Sequence, residues 1–111
     1  EAIADAEQFL QQQLSQAIDF AGLAQRLGMS QRSFNRRCKQ ALGVSPGEYL
    51  QQLRLQQARE LLRDSNLAIA EIGYRVGYPD AAHFATRFRR VMAQSPSDYR
   101  KSVRGKLFKP G

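Results

Sequence analysis

The chain contains one pattern twice, as LAQRLGMSQRSFNRRCKQALGVSPGEY over residues 23–49 and as IGYRVGYPDAAHFATRFRRVMAQSPSDY over residues 72–99. Glycine, phenylalanine, arginine and a Ser-Pro pair recur at an offset of 49 residues before the central loop and 50 after it, so one inserted residue near Pro79 explains the difference. Each copy predicts a short helix, a turn that holds glycine and a longer helix, which is the order of the helix-turn-helix motif.

Helical spacing extends beyond the two copies. Apolar residues recur every three or four positions, and no alternating β-branched run bounded by turn residues is present. The sequence therefore predicts an all-α, duplicated, homeodomain-like fold of seven helices. With capping residues as boundaries, we expect the seven helices over residues 2–15, 20–27, 30–42, 46–63, 69–76, 81–93 and 96–99. A frayed tail is expected from residue 101.

The predicted domain organisation follows from these helices. We expect a first helix-turn-helix subdomain over residues 1–45, a linker helix over 46–64, a second subdomain over 65–103 and a flexible basic tail over 104–111. A linker helix of this length spans roughly 27 Å, comparable with the ~34 Å between successive major grooves on one face of DNA. We therefore expect one chain to reach two grooves, and a rigid linker to bend the duplex.

Composition excludes several classes of protein. The chain has 111 residues and a single cysteine and histidine, so it forms no internal disulfide and cannot supply a zinc site from these residues. Its apolar stretches are too short to span a bilayer, and its acidic start does not resemble a signal peptide. We expect a cytoplasmic domain excised from a longer polypeptide, since residue 1 is Glu1.

The net charge of +7 is divided into alternating blocks. Residues 1–20 carry four acids and no base, and residues 64–86 sum to −2; residues 26–63 carry eight bases against two acids, and residues 87–111 eight bases against one. Basic blocks of this kind suit nucleic acid or an anionic membrane surface, and they also occur as solvated faces.

The predicted helix over residues 30–42 separates an apolar side from a basic side. We expect its apolar residues, Phe34, Cys38, Ala41 and Leu42, to face inward. The opposite stripe holds three cations, one carboxamide and no carboxylate: Arg32, Asn35, Arg36 and Lys39. Arginine pairs bidentately with guanine, and asparagine with adenine. We therefore predict that Arg32, Asn35 and Arg36 read bases in the major groove.

The second copy differs at the same positions. They are occupied by Ala82, Ala85, Thr86 and Arg89. Alanine and threonine reach thymine methyl groups, whereas arginines hold phosphates. We predict an asymmetric reader whose second recognition helix makes weak base contacts through Ala82, Ala85 and Thr86. Phosphate or flanking contacts are predicted for Ser30, Gln31, Arg37, Lys39, His83, Arg87, Arg89 and Arg90.

These motifs resemble the C-terminal DNA-binding domain of the AraC/XylS transcription regulators. The second half carries the resemblance in IAEIGYRVGY at 69–78, HF at 83–84, RFRR at 87–90 and SPSDYR at 95–100, and the first half in GMS at 28–30, RSF at 32–34 and GVSP at 43–46. It extends over about residues 3–103, nearly the whole chain.

The resemblance implies a bacterial transcription regulator that places helices 30–42 and 80–93 in adjacent major grooves of double-stranded DNA. The family's base-reading positions in the first helix fall on Arg32, Asn35 and Arg36. A position often held by arginine in the second helix is Thr86 here. Members usually carry an upstream effector or dimerisation domain. RNA polymerase is a further expected partner, and we expect the protein to act on the nucleoid in the cytoplasm.

Two other functions also fit the basic charge of the chain. A basic helical adaptor for an acidic protein would bind DNA weakly and without sequence preference, and a membrane binder would use the tail near residues 106–109. We expect neither an enzyme nor a cofactor, because His83 has no nucleophile to activate and Cys38 falls on the apolar face.

Overall fold

A computed structural model describes the backbone of residues 1–108 and the side chains of residues 1–105. Within that range the secondary structure is entirely helical, in seven helices: α1 Ala2–Gln12, α2 Phe20–Arg26, α3 Gln31–Leu42, α4 Pro46–Asp64, α5 Ile69–Arg75, α6 Ala81–Met92 and α7 Pro96–Phe108. The predicted all-α fold of seven helices is confirmed. The helices form two compact units, Glu1–Arg54 and the residues from Leu55 on.

Capping residues start the helices where the sequence predicts. The side chains of Asp19 and Asp80 accept hydrogen bonds from main-chain N–H groups in the first turns of α2 and α6. Ser45 Oγ accepts from Glu48 N at 3.2 Å at the start of α4, and Ser95 Oγ repeats this arrangement at α7. Each cap satisfies an N–H group that has no partner within its own helix, so these ends are fixed locally.

The first unit buries one side of α1, α2 and α3 together with Leu50 of α4. Phe34 is fully buried and Cys38 is 1% exposed, which confirms that this side of α3 belongs to the core. Burial raises the pKa of the Cys38 thiol, with Glu7 adding to the shift. The inward placement predicted for Ala41 is wrong, because Ala41 lies exposed near the end of the helix.

The second unit has an aromatic core. The rings of Tyr78, Phe84, Phe88 and Tyr99 follow one another with centroid separations of 5.6, 5.9 and 5.5 Å. Gly73 of α5 lies so close to α6 that an added Cβ would fall 2.7 Å from a ring carbon of Phe84. The absence of a side chain at this position therefore lets α5 pack directly against α6.

Helix α4 belongs to both units. Its residues Leu55, Ala58 and Leu62 are buried at the same spacing as Ile3, Ala6 and Leu10 of α1. The second half of α4 therefore opens the second unit as α1 opens the first, while the first half of α4 supplies Leu50 to the first core. The repeat is thus longer than the helix-turn-helix pair seen in the sequence.

Two helix ends differ from the sequence prediction. Helix α1 ends at Gln12, three residues early. The frayed tail predicted from Lys101 is wrong over the described residues, because α7 continues to Phe108. Residues 109–111 of the predicted flexible tail lie outside the described residues. Among the described helices, none is both long and apolar enough to cross a membrane.

Ala93, which follows α6, has the left-handed conformation that glycine normally supplies. Its φ is 62°, and the matching residue after α3 is Gly43 with φ 80°. A side chain in this conformation costs about 1–2 kcal/mol. We expect Ala93→Gly to raise the free energy of unfolding by about 1 kcal/mol.

The reverse change provides the control. A Cβ on Gly43 would meet no atom within 4 Å, so Gly43→Ala changes only the backbone preference and should lower stability by about 1 kcal/mol. Urea unfolding followed by circular dichroism measures both changes. Equal stability of Ala93→Gly and the parent chain would show that the left-handed conformation carries no penalty here.

Candidate nucleic-acid interface

Helix α3 is anchored at its start and along its inner side. Ser30 Oγ accepts a hydrogen bond from Ser33 N at 3.1 Å, which fixes the first turn. Phe34 and Cys38 lie one turn apart and enter the first core. With these contacts in place, the side of α3 away from the core is held in one orientation toward solvent.

The outer side of α3 carries the stripe predicted from the sequence. Four side chains on it are exposed: Arg32, Asn35, Arg36 and Lys39. No hydrogen bond or ion pair joins any of them to another side chain within residues 1–105. Ser30 and Gln31 at the start of the helix are exposed as well. The stripe thus presents three cations and one carboxamide whose donors are free for a ligand.

Arg37 lies beside this stripe and already has neighbours. Its Nη1 donates a hydrogen bond to Met29 Sδ at 3.4 Å, and its Nη2 lies 3.8 Å from Glu1 Oε1. Both partners are weak for an arginine, because a thioether is a poor acceptor and the ion pair is exposed. A contact between Arg37 and a phosphate stays a prediction.

Helix α6 presents a different outer side. Ala82, His83, Thr86, Arg89 and Arg90 are exposed on it. Ala85 and Arg87 are half-buried nearer the core. The His83 ring packs edge-on against Tyr78 with the centroids 5.5 Å apart, which orients the ring at the start of the helix. The exposed side chains in the N-terminal part of α6 are therefore mostly short and weakly polar, and the arginines lie in the C-terminal part.

Among residues 1–105, three arginines bind main-chain carbonyls near helix ends, and the sequence did not predict these contacts. In the first unit, Arg54 Nε donates to the Leu14 carbonyl at 2.7 Å and Arg54 Nη2 donates to the Gln16 carbonyl at 2.9 Å. These carbonyls belong to the segment that follows α1. Arg54 therefore ties the middle of α4 to the segment leading into the first helix-turn-helix.

The second unit repeats this arrangement with two arginines. Arg100 Nε donates to the Leu62 carbonyl at 3.0 Å and Nη2 to the Ser65 carbonyl at 3.2 Å. Arg104, fifty residues after Arg54, also donates to the Ser65 carbonyl and reaches Asn66 Oδ1 at 2.9 Å. Burial, together with the neighbouring Arg104 charge, lowers the pKa of Arg100. The matching spacing of Arg54 and Arg104 was the sequence signal available for these contacts.

Comparison with known proteins agrees with this architecture. Residues 23–102 match the sequence pattern of a family of helix-turn-helix domains. The transcriptional activator RhaS of Escherichia coli O139:H28 is 38% identical over 99 residues, which cover 89% of this chain and 36% of RhaS. The chain therefore spans about a third of the length of the curated relatives it matches.

Two solved structures have folds similar to that of this chain. The C-terminal domain of AraT, a response regulator from Geobacillus stearothermophilus, is 35% identical with a TM-score of 0.86, covering 91% of this chain and 84% of that one. The DNA-binding domain of AdpA, a global transcriptional factor in complex with a target DNA, is 29% identical with a TM-score of 0.91 and covers 99% of both chains.

The duplicated motif with its exposed basic stripe defines a tandem helix-turn-helix protein. The family match, the relatives and the solved structures define it more closely. The chain belongs to the AraC-type helix-turn-helix family of DNA-binding transcription regulators.

Proposed function

We propose that this chain is a sequence-specific domain for double-stranded DNA in a bacterial transcription regulator, with α3 and α6 in adjacent major grooves. The observation that carries the proposal is the stripe on α3, which holds cations and a carboxamide without any carboxylate or internal partner. A solvated face would mix in acids, whereas a surface that binds phosphates and base edges excludes them. The DNA-bound AdpA domain supports the same assignment.

In this proposal α3 supplies the hydrogen-bonded base contacts. Arg32 and Arg36 would pair with guanine O6 and N7, and Asn35 with adenine N6 and N7. Gln31, Lys39 and the start of the helix at Ser30 would contact phosphates, which set the register on the duplex without selecting sequence. Arg37 would join them by leaving its weak contacts to Met29 and Glu1.

Helix α6 would add affinity and a looser base preference. Arg87, Arg89 and Arg90 would hold phosphates, with His83 at the start of the helix contributing a further contact. Ala82, Ala85 and Thr86 would lie against thymine methyl groups, since their short side chains offer no bidentate hydrogen bond. The proposed site is therefore stronger in one half than in the other.

The remaining parts of the proposal concern the longer protein. The helix-turn-helix subdomains would be residues 1–45 and 65–103, with residues 46–64 as linker. An upstream effector or dimerisation domain and a contact to RNA polymerase are predictions of the family resemblance. We propose that the regulator acts on the nucleoid in the cytoplasm and works by binding, without a catalytic step.

Selection of bound duplexes from a random DNA pool tests the proposal. At about 150 mM salt, where non-specific phosphate contacts are weakened, the domain should enrich a motif with one well-defined and one looser half. The centres of the two halves should lie about 10 base pairs apart. An unenriched pool, together with retention of an acidic protein from lysate, would contradict the proposal and favour the adaptor function.

A further inference from the structure

We propose that the carboxylate of Asp80 limits the affinity of α6 for DNA, and so adds to the imbalance between the two recognition helices. This inference rests on the proposed function, because it requires that phosphates approach both helices. It assigns to Asp80 an effect on DNA binding in addition to its role as the N-cap of α6.

The two recognition helices begin with equivalent N-cap residues that differ in charge. Ser30 and Asp80 lie fifty residues apart, and each is the N-cap of its helix. Ser30 is neutral and accepts one hydrogen bond, from Ser33 N. Asp80 Oδ1 accepts from Ala82 N at 2.9 Å and from His83 N at 3.4 Å. The main-chain donors that attract anions at a helix start are therefore already bound to a carboxylate in α6.

The charges that follow the two caps increase this difference. In α3 the first turn contains Arg32, so its N-terminal end is cationic. In α6 the only basic residue between Asp80 and Arg87 is His83, with no lysine or arginine, and within the described residues no ion pair includes Asp80. Asp80 is exposed. A phosphate approaching the start of α6 therefore meets a negative charge that no lysine or arginine side chain neutralises.

Replacing Asp80 with asparagine removes this charge and keeps the cap. Asparagine caps helices about as well as aspartate, so the fold should be retained. A unit charge several ångströms from one or two phosphates changes affinity by roughly threefold to tenfold in water. We expect Asp80→Asn to tighten binding to the selected duplex by this factor at about 50 mM salt.

The salt dependence identifies the cause of the gain. One added effective phosphate contact steepens the slope of log affinity against log salt by about 0.9, so the advantage of Asp80→Asn should shrink about threefold by 200 mM salt. The opposite change, Ser30→Asp, places a charge at the equivalent position of α3. It should weaken binding and flatten the salt slope by a similar amount.

Asp5→Asn is the matched control for net charge. Asp5 is exposed on α1, outside both recognition helices, and its replacement changes the total charge by the same amount. Binding is measured by fluorescence anisotropy with the selected duplex, and thermal unfolding of each variant verifies the fold. Asp80→Ser, which copies the cap of α3, is the second variant and should behave like Asp80→Asn.

The outcomes separate the inference from the proposed function. Failure of the parent chain to enrich any duplex from the random pool overturns the proposed function and the inference with it. Binding by the parent chain, with unchanged affinity for Asp80→Asn and Asp80→Ser, overturns the inference alone. An equal gain for Asp5→Asn also overturns it, because the effect would then reflect net charge rather than the position of Asp80.

Discussion

Replacing Arg36 with alanine should weaken binding to the selected duplex by about 1–3 kcal/mol, or roughly five- to 150-fold, and relax the choice of base at one position. Arg36 is exposed on α3 and has no partner within residues 1–105, so its removal leaves the core unchanged. The lost free energy is then that of a bidentate contact to a guanine edge. Anisotropy titrations against the selected duplex and its single-base variants measure both effects.

Arg89→Ala is the control for a contact without sequence information. We propose that Arg89, exposed on α6, binds a phosphate, so its replacement should weaken all duplexes alike and reduce the salt slope by about one. Equal losses on every sequence for both variants would contradict base reading by Arg36. A change in the preferred base with Arg89→Ala would contradict the proposal that Arg89 binds a phosphate.

The recognition helices could be predicted because their determinants are local. A cap residue, apolar residues one turn apart and a glycine end define α3 within about 12 residues. The cap and the apolar spacing recur in α6, which is followed by Ala93 in place of glycine. The outer stripe follows from helical geometry once Phe34 and Cys38 are assigned to the core. The exposure of Arg32 and Arg36 was therefore predictable from sequence, whereas the bases that they contact depend on the DNA.

The length of α7 and the double role of α4 could not be predicted in this way. Beyond Tyr99 the sequence of α7 is mostly polar and basic and contains Gly105, so that Val103 and Leu107, four and eight residues after Tyr99, form only a short apolar pattern. The helix also carries Arg100 and Arg104, whose guanidinium groups bind carbonyls nearly forty residues away. Contacts at that separation leave no local pattern. Likewise, the match of Leu55, Ala58 and Leu62 to α1 becomes evident only from burial.

Replacing Arg54 with alanine should lower the free energy of unfolding by about 1.5–3 kcal/mol. The Arg54 guanidinium holds the carbonyls of Leu14 and Gln16 at 2.7 and 2.9 Å, and hydrogen bonds that involve a charged group are stronger than neutral ones. Without them the segment between α1 and α2 loses its link to α4. Urea unfolding followed by circular dichroism gives the change in stability.

Two further variants separate the hydrogen bonds of Arg54 from its charge. Arg54→Lys retains the charge but not the planar fork that reaches two carbonyls, so it should recover only part of the loss. Arg63→Ala removes an exposed arginine that pairs with its neighbour Asp64 at 2.9 Å, and exposed pairs contribute at most about 1 kcal/mol. Equal stability of Arg54→Ala and Arg63→Ala would contradict the role of Arg54. A larger loss for Arg54→Ala, partly recovered by lysine, would identify the guanidinium contacts as the link that holds the segment before α2 against α4.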